Sequence, residues 1–77
     1  MEAMITQADA REFIGINVRR IRQRCGLTQI QLSEAANVDQ GAISRLERGQ
    51  VIPNAVDFAN IAEALDTSTE VLLRASS

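Results

Sequence analysis

Apolar positions in this chain recur every three or four residues, without sustained alternation, so the pattern predicts helices and no strands. Phe13, Ile14, Val18, Ile21 and Cys25 form one stripe of a first helix. It begins at Thr6, with Asp9 three residues on as a capping-box partner, and runs to about Arg24. Gly26 ends it, because glycine is favoured just past a helix terminus. Thr28 then caps a second helix over Gln29 to Ala36, whose inward residues are Ile30 or Leu32, Ser33 and Ala36. Asn37 follows, one of the few non-glycine residues that tolerate the left-handed backbone of a tight interhelical turn. A third helix starts behind Asp39 as its cap, carries Ile43 and Leu46 inward and ends at Gly49. Val51-Ile52-Pro53 is a connector, and Asn54 with Asp57 repeats the cap pattern for a fourth helix holding Val56, Phe58, Ile61, Ala62 and Leu65. Ser68 caps a short fifth helix with Val71, Leu72 and Leu73. The expected architecture is all-α, a compact five-helix bundle over residues 6–74, with a flexible tail at 1–5 and another at 75–77.

Composition narrows the function more than the fold. A chain of 77 residues that is 45% hydrophobic holds one small core and no second domain. Cys25 is the single cysteine and there is no histidine, so neither an internal disulfide, a zinc site nor a Cys–His nucleophile has its parts. No glycine-rich phosphate loop and no Ser-His-Asp set is present, so no enzyme, metal or cofactor is expected, and Cys25 reads as a packing residue at a helix end. The sequence shows neither a basic-then-apolar leader nor a long uncharged span, and the expected compartment is a reducing cytoplasm, away from membranes.

A net charge of −2 has the wrong sign for binding a polyanion, but the charges are unevenly placed. Residues 11–48 hold seven arginines, at 11, 19, 20, 22, 24, 45 and 48, against Glu12, Glu34, Asp39 and Glu47. Residues 49–77 hold Arg74 alone against Asp57, Glu63, Asp66 and Glu70. The basic half contains the two short helices around Asn37, which read as a helix-turn-helix, and the acidic half is free to face away from DNA.

Residues 14–73 resemble the Xre/Cro family, the helix-turn-helix domain of phage repressors and their bacterial relatives. The resemblance is carried by Val18-x-x-Ile21-Arg22, Gly26-Leu27-Thr28-Gln29, Leu32-Ser33, Ala36-x-Val38, Ile43-Ser44-Arg45-Leu46-Glu47-Arg48-Gly49, Pro53-Asn54 and Ile61-Ala62-x-Ala64-Leu65, in order and at the family's separations. It implies a lambda-repressor-like DNA-binding domain in which the second and third helices form the helix-turn-helix. It further implies that Gln40, Gly41, Ser44 and Arg45 face base edges in the major groove, where a good bidentate contact is worth about 1–3 kcal/mol of discrimination. Thr28 and Gln29, at a helix N-terminus, would meet a phosphate, and Arg19, Arg24 and Arg48, with Arg20, are further phosphate candidates. Arg22 would pair with Glu47 and orient the third helix.

Three residues or segments depart from the family pattern. Gly41 stands where relatives carry a base-touching side chain, and it costs the helix about 1 kcal/mol relative to alanine. Asp39 brings a negative charge toward phosphates, and the connector Gln50 to Asn54 lacks cations. One reading helix is too short an address for a genome, so a homodimer on inverted half-sites is expected, with Val51, Ile52, Val56, Val71 and Leu73 as its interface. The expected function is a transcriptional regulator, a dimeric repressor whose partner is a double-stranded DNA operator. The alternative is a protein-interaction module on the same fold, an antitoxin or antirepressor with weak DNA binding and a toxin or antirepressor protein as partner.

Overall fold

The computed structural model describes residues 4–75, so the outermost parts of both expected tails, residues 1–3 and 76–77, lie outside the described residues. Five helices follow one another with short connections: α1 (Gln7–Arg24), α2 (Gln29–Ala36), α3 (Gln40–Glu47), α4 (Ala55–Ala64) and α5 (Thr69–Leu72). No strand occurs among the described residues, and the expected all-α bundle is the fold found.

Side chains start four of the five helices. The Thr6 hydroxyl accepts from the Asp9 N–H at 3.0 Å while Asp9 accepts from the Thr6 N–H at 3.3 Å, closing a capping box on α1. Thr28 and Gln31 repeat the box on α2, at 3.0 and 2.9 Å. Asn54 and Ser68 accept from the N–H groups of Asp57 and Val71. Asp39 differs from expectation: it occupies the N-cap position of α3, but its carboxylate makes no capping hydrogen bond. That carboxylate instead lies over Gly41, where its Oδ2 sits 2.9 Å from the place a Cβ would occupy.

Four helices end in one way. Gly26, Asn37, Gly49 and Asp66 each take positive φ, at 73°, 55°, 73° and 55°. In each case the following N–H reaches back to a carbonyl five residues earlier: Leu27 to Arg22, Val38 to Ser33, Gln50 to Arg45 and Thr67 to Ala62. This is the Schellman closure, which satisfies carbonyls that the helix leaves free. It makes each turn tight enough for the next helix to fold back at once.

The core is built from Ile14 and Val18 of α1, Leu32 and Ala36 of α2, Val38, Ile43 and Leu46 in and before α3, Ile61, Ala62 and Leu65 in and after α4, and Leu72 of α5. Helix α1 lies against α3 and α5, and α2 packs on α3 and α4. The crossing of α1 and α3 is close because residue 15 is glycine: a Cβ there would stand 2.7 Å from the Leu46 carbonyl oxygen and 3.1 Å from that of Glu47. Asn17 is buried beside it, and its amide donates to the carbonyls of Leu72 and Arg74, both at 2.9 Å, and of Val71 at 3.4 Å. One α1 side chain thereby caps the C-terminus of α5.

Several side chains lie elsewhere than their pattern predicts. Cys25 is exposed rather than packed, because the chain turns away at Gly26, and its Sγ only approaches the Leu65 carbonyl at 4.0 Å. Of the pair Ile30 or Leu32, Leu32 is the buried one and Ile30 stays 59% exposed, since Leu32 shares a face with Ala36. Phe13 is half-buried at the edge of the stripe, and Val56 is 69% exposed because it lies on the outer side of the first turn of α4.

Candidate nucleic-acid interface

Helix α3 is short, and its orientation is fixed from below and from one side. From below, Ile43 and Leu46 are buried at 0% and 2% exposure. From the side, Arg22 of α1 grips Glu47 with two parallel hydrogen bonds, Nε to Oε2 at 2.6 Å and Nη2 to Oε1 at 2.9 Å. The third guanidinium nitrogen, Nη1, donates to the Leu27 carbonyl at 2.8 Å, joining the α1–α2 turn to the same point. The fork geometry of arginine suits a carboxylate held this way, and a lysine would not reproduce it.

The Glu47 hydrogen bonds hold the Arg22 guanidinium above its ordinary pKa, opposed by burial and helped to a lesser extent by the Glu47 charge. A group whose folded pKa is raised contributes its stability fully below its unfolded pKa and loses it as pH rises through the folded value. Arg22 therefore gives no pH dependence in the neutral range.

The pair extends toward the surface. Glu47 Oε1 also accepts from Gln29 Nε2 at 3.1 Å, and Gln29 Oε1 accepts from Gln40 Nε2 at 3.2 Å. Four side chains from α1, α2 and α3 thus form one continuous line that ends at the exposed Gln40. Sequence reading placed Gln29 only beside a phosphate and missed this link. Its one sequence signal is that Gln29 and Gln40 each open a helix of the motif.

The remaining predicted reading positions lie on the same turns of α3, with Arg45 exposed and Gly41 and Ser44 half-buried. The Arg45 guanidinium folds back over its own first turn, with Nη1 3.3 Å from where a Gly41 Cβ would be. Thr28 holds the start of α2, and Arg19, Arg24 and Arg48 are exposed. Arg20 is not free in the same way: its Nη2 donates to Asn17 Oδ1 at 2.8 Å, so it belongs to the α1–α5 contact. Of the apolar residues expected at an interface, Ile52 and Val56 are exposed at 43% and 69%. Val51 and Leu73 pack in part on the core, and Val71 is half-buried.

A family model described as HTH_3, helix-turn-helix, matches residues 18–72. The chain belongs to the HTH_3 family. It is 35% identical over 60 residues, 78% of either chain, to a protein of Sinorhizobium fredii named as an uncharacterized HTH-type transcriptional regulator, y4dJ. Among solved structures it is similar to the restriction-modification controller protein C.AhdI from Aeromonas hydrophila. That pair is 29% identical with a TM-score of 0.76, over 80% of this chain and 94% of the other. It is also similar to the clp gene regulator ClgR from Corynebacterium glutamicum, 34% identical with a TM-score of 0.77, over 83% of this chain and 68% of the other. The chain is thus an HTH_3 transcriptional regulator, in which α2 and α3 are the helix-turn-helix. In the HTH_3 fold the tight turn at Asn37, φ 55°, sets the angle at which α3 stands against α2.

Proposed function

We propose that the chain is a cytoplasmic repressor that binds an operator as a two-fold dimer, with α3 of each copy in the major groove. The observation that carries this reading is the outward face of α3. Gln40 and Arg45 project from a helix whose opposite side is fully buried and whose end is clamped by Arg22 and Glu47. In the proposed complex Gln40, Ser44 and Arg45 read base edges, and Gly41 lets the backbone approach the groove. Thr28 and Gln29 at the start of α2 meet a phosphate, flanked by Arg19, Arg24 and Arg48. Ile52 and Val56, with Val51, Val71 and Leu73 behind them, supply the dimer contact. The controller protein and the gene regulators among its relatives favour a regulatory role, and their names supply no operator.

Fluorescence anisotropy on duplexes from upstream of the gene and on a shuffled duplex, each at two salt concentrations, tests the reading. Binding to the native duplex that survives salt abolishing the shuffled one is expected, since specific contacts outlast counterion release. Arg45→Ala should relax preference at one symmetric pair of positions. Arg19→Ala or Arg24→Ala should weaken all sequences alike and lower the salt slope by about 0.9 each. A second reading, a protein-interaction module with weak DNA binding, is favoured by one specific observation: the Asp39 carboxylate is spent on no cap and stands at the N-terminus of α3. Loss of binding to both duplexes would select it.

A further inference from the structure

Between the first half of α1 and the end of α3 lies an open cleft of about 390 Å³. That volume is at the small end of ligand pockets, about 300–1,000 Å³. Arg11 of α1 and Arg48 at the end of α3 bring two guanidinium groups to it, and Ala8 and Ile16 supply apolar lining. Ile16 is 41% exposed, an apolar side chain left uncovered. Arg11 is half-buried, and neither it nor Arg48 is in an ion pair among the described residues, where Arg22 pairs with Glu47 and Arg74 with Glu70. Two carboxylates also line the cleft. Glu47 is neutralised by the Arg22 fork, so Glu12 alone stands against the two cations. The end of α3 adds little negative character, because the N–H groups of Gly49 and Gln50 donate back to the Leu46 and Arg45 carbonyls. Two like charges on one cleft repel, and an anion between them turns that repulsion into attraction.

We propose that this cleft is an effector site for a small organic anion, a phosphate or carboxylate on a short aliphatic stem, and that its occupation weakens DNA binding. The fork of arginine suits either head group, and Ala8 and Ile16 suit the stem. The link to DNA is Arg48, which the proposed complex sets against a phosphate of the operator. A guanidinium engaged by the ligand is lost to that phosphate. The coupling is reciprocal, so DNA weakens the ligand by the same factor. This effect on DNA rests on the proposed reading of an operator by α3, whereas binding of the anion to the free chain does not.

Calorimetric titration of the native chain with butyl phosphate, butyrate, inorganic phosphate and butylamine, at constant ionic strength, tests the site. Saturable binding of butyl phosphate or butyrate is expected, with inorganic phosphate weaker and butylamine silent. Arg11→Ala is expected to weaken the anion about tenfold, the size of one charged hydrogen bond. Glu12→Gln removes the opposing carboxylate and is expected to tighten it, so the two variants shift affinity in opposite directions, which loss of the fold cannot do. Ile16→Ala is expected to narrow the preference for butyl phosphate over inorganic phosphate. Anisotropy on a duplex selected from a random pool then reads the effect on DNA. Saturating butyl phosphate is expected to weaken the native chain about tenfold against chloride of equal ionic strength, and the same concentration to leave Arg11→Ala less affected. Absence of saturable binding by either organic anion, equal binding of butylamine, or identical affinities in Arg11→Ala and Glu12→Gln would overturn the site. Anion binding with DNA affinity unchanged would overturn its role as an effector. A chain that selects no duplex would overturn the reading of DNA and that role with it, while the calorimetry still decides the site.

Discussion

A methyl group at Gly15 would meet the carbonyl oxygens of Leu46 and Glu47 at 2.7 and 3.1 Å, both backbone atoms at the end of α3. At Gly41 the corresponding neighbours are the tips of two flexible side chains, Asp39 Oδ2 and Arg45 Nη1. Both glycines lie in helices, where alanine is intrinsically better by about 1 kcal/mol. The surroundings decide the sign. Gly15→Ala is expected to destabilise by about 1–3 kcal/mol, because α1 must move off α3 to relieve the overlap. Gly41→Ala is expected to stabilise by up to about 1 kcal/mol. Urea unfolding of both variants measures the difference, and equal shifts would mean that the α1–α3 crossing has room to give. Gly41 was legible as a departure from the family pattern, but the role of Gly15 was not, since a close approach between distant segments leaves no local signal. Asn17 was equally silent. Its partners are carbonyls at residues 71, 72 and 74, and only its place between Ile14 and Ile21 on an apolar stripe hinted that a polar side chain was buried there.

Helix starts and stops were the most legible features of the chain, because a cap is decided by residues three or four apart. Thr6, Thr28, Asn54 and Ser68 each accept the backbone N–H that their spacing predicts. Asn37 takes the left-handed conformation predicted for it, whereas Asp66, at φ 55°, does the same without having been singled out. Asp39 fails at the level of the side chain: the N-cap position is correct and the hydrogen bond is missing. Two alanine substitutions separate these cases. Thr28→Ala is expected to cost about 1 kcal/mol, by opening the capping box that starts α2. Asp39→Ala should change stability by less than about 0.5 kcal/mol, as a surface substitution that breaks no bond does. In the proposed complex Asp39→Ala should also tighten DNA binding, since it removes a carboxylate from the face that meets phosphates. Thermal melts with anisotropy titrations read both effects, and a loss of stability like that of Thr28→Ala would show that Asp39 caps α3 in solution.

At the scale of the molecule, the basic half carries α1 to α3 and the acidic half carries α4 and α5, with Ile52 and Val56 exposed at the start of the latter. A single reading helix spans too few base pairs for a genomic address, and a second copy turned by a two-fold axis doubles it, with half-sites about 34–36 Å apart. An isologous contact through Ile52 and Val56 would place the same residues of both copies near the axis, so one substitution acts twice. Val56→Asp is informative because its own helix tolerates it: residue 56 lies in the first turn of α4, where a carboxylate interacts favourably with the helix dipole. The folded monomer is expected to keep its stability within about 0.5 kcal/mol. Two carboxylates brought together at an apolar contact repel and lose hydration, so the proposed dimer is expected to dissociate. Sedimentation equilibrium would show the mass of one chain, and affinity for a duplex with two half-sites would fall toward that for a duplex with one. Affinity for the single half-site would stay unchanged, because α3 and its clamp are untouched. A Val56→Asp chain that still sediments as a dimer and binds the two-half-site duplex like the native one would move the interface away from α4.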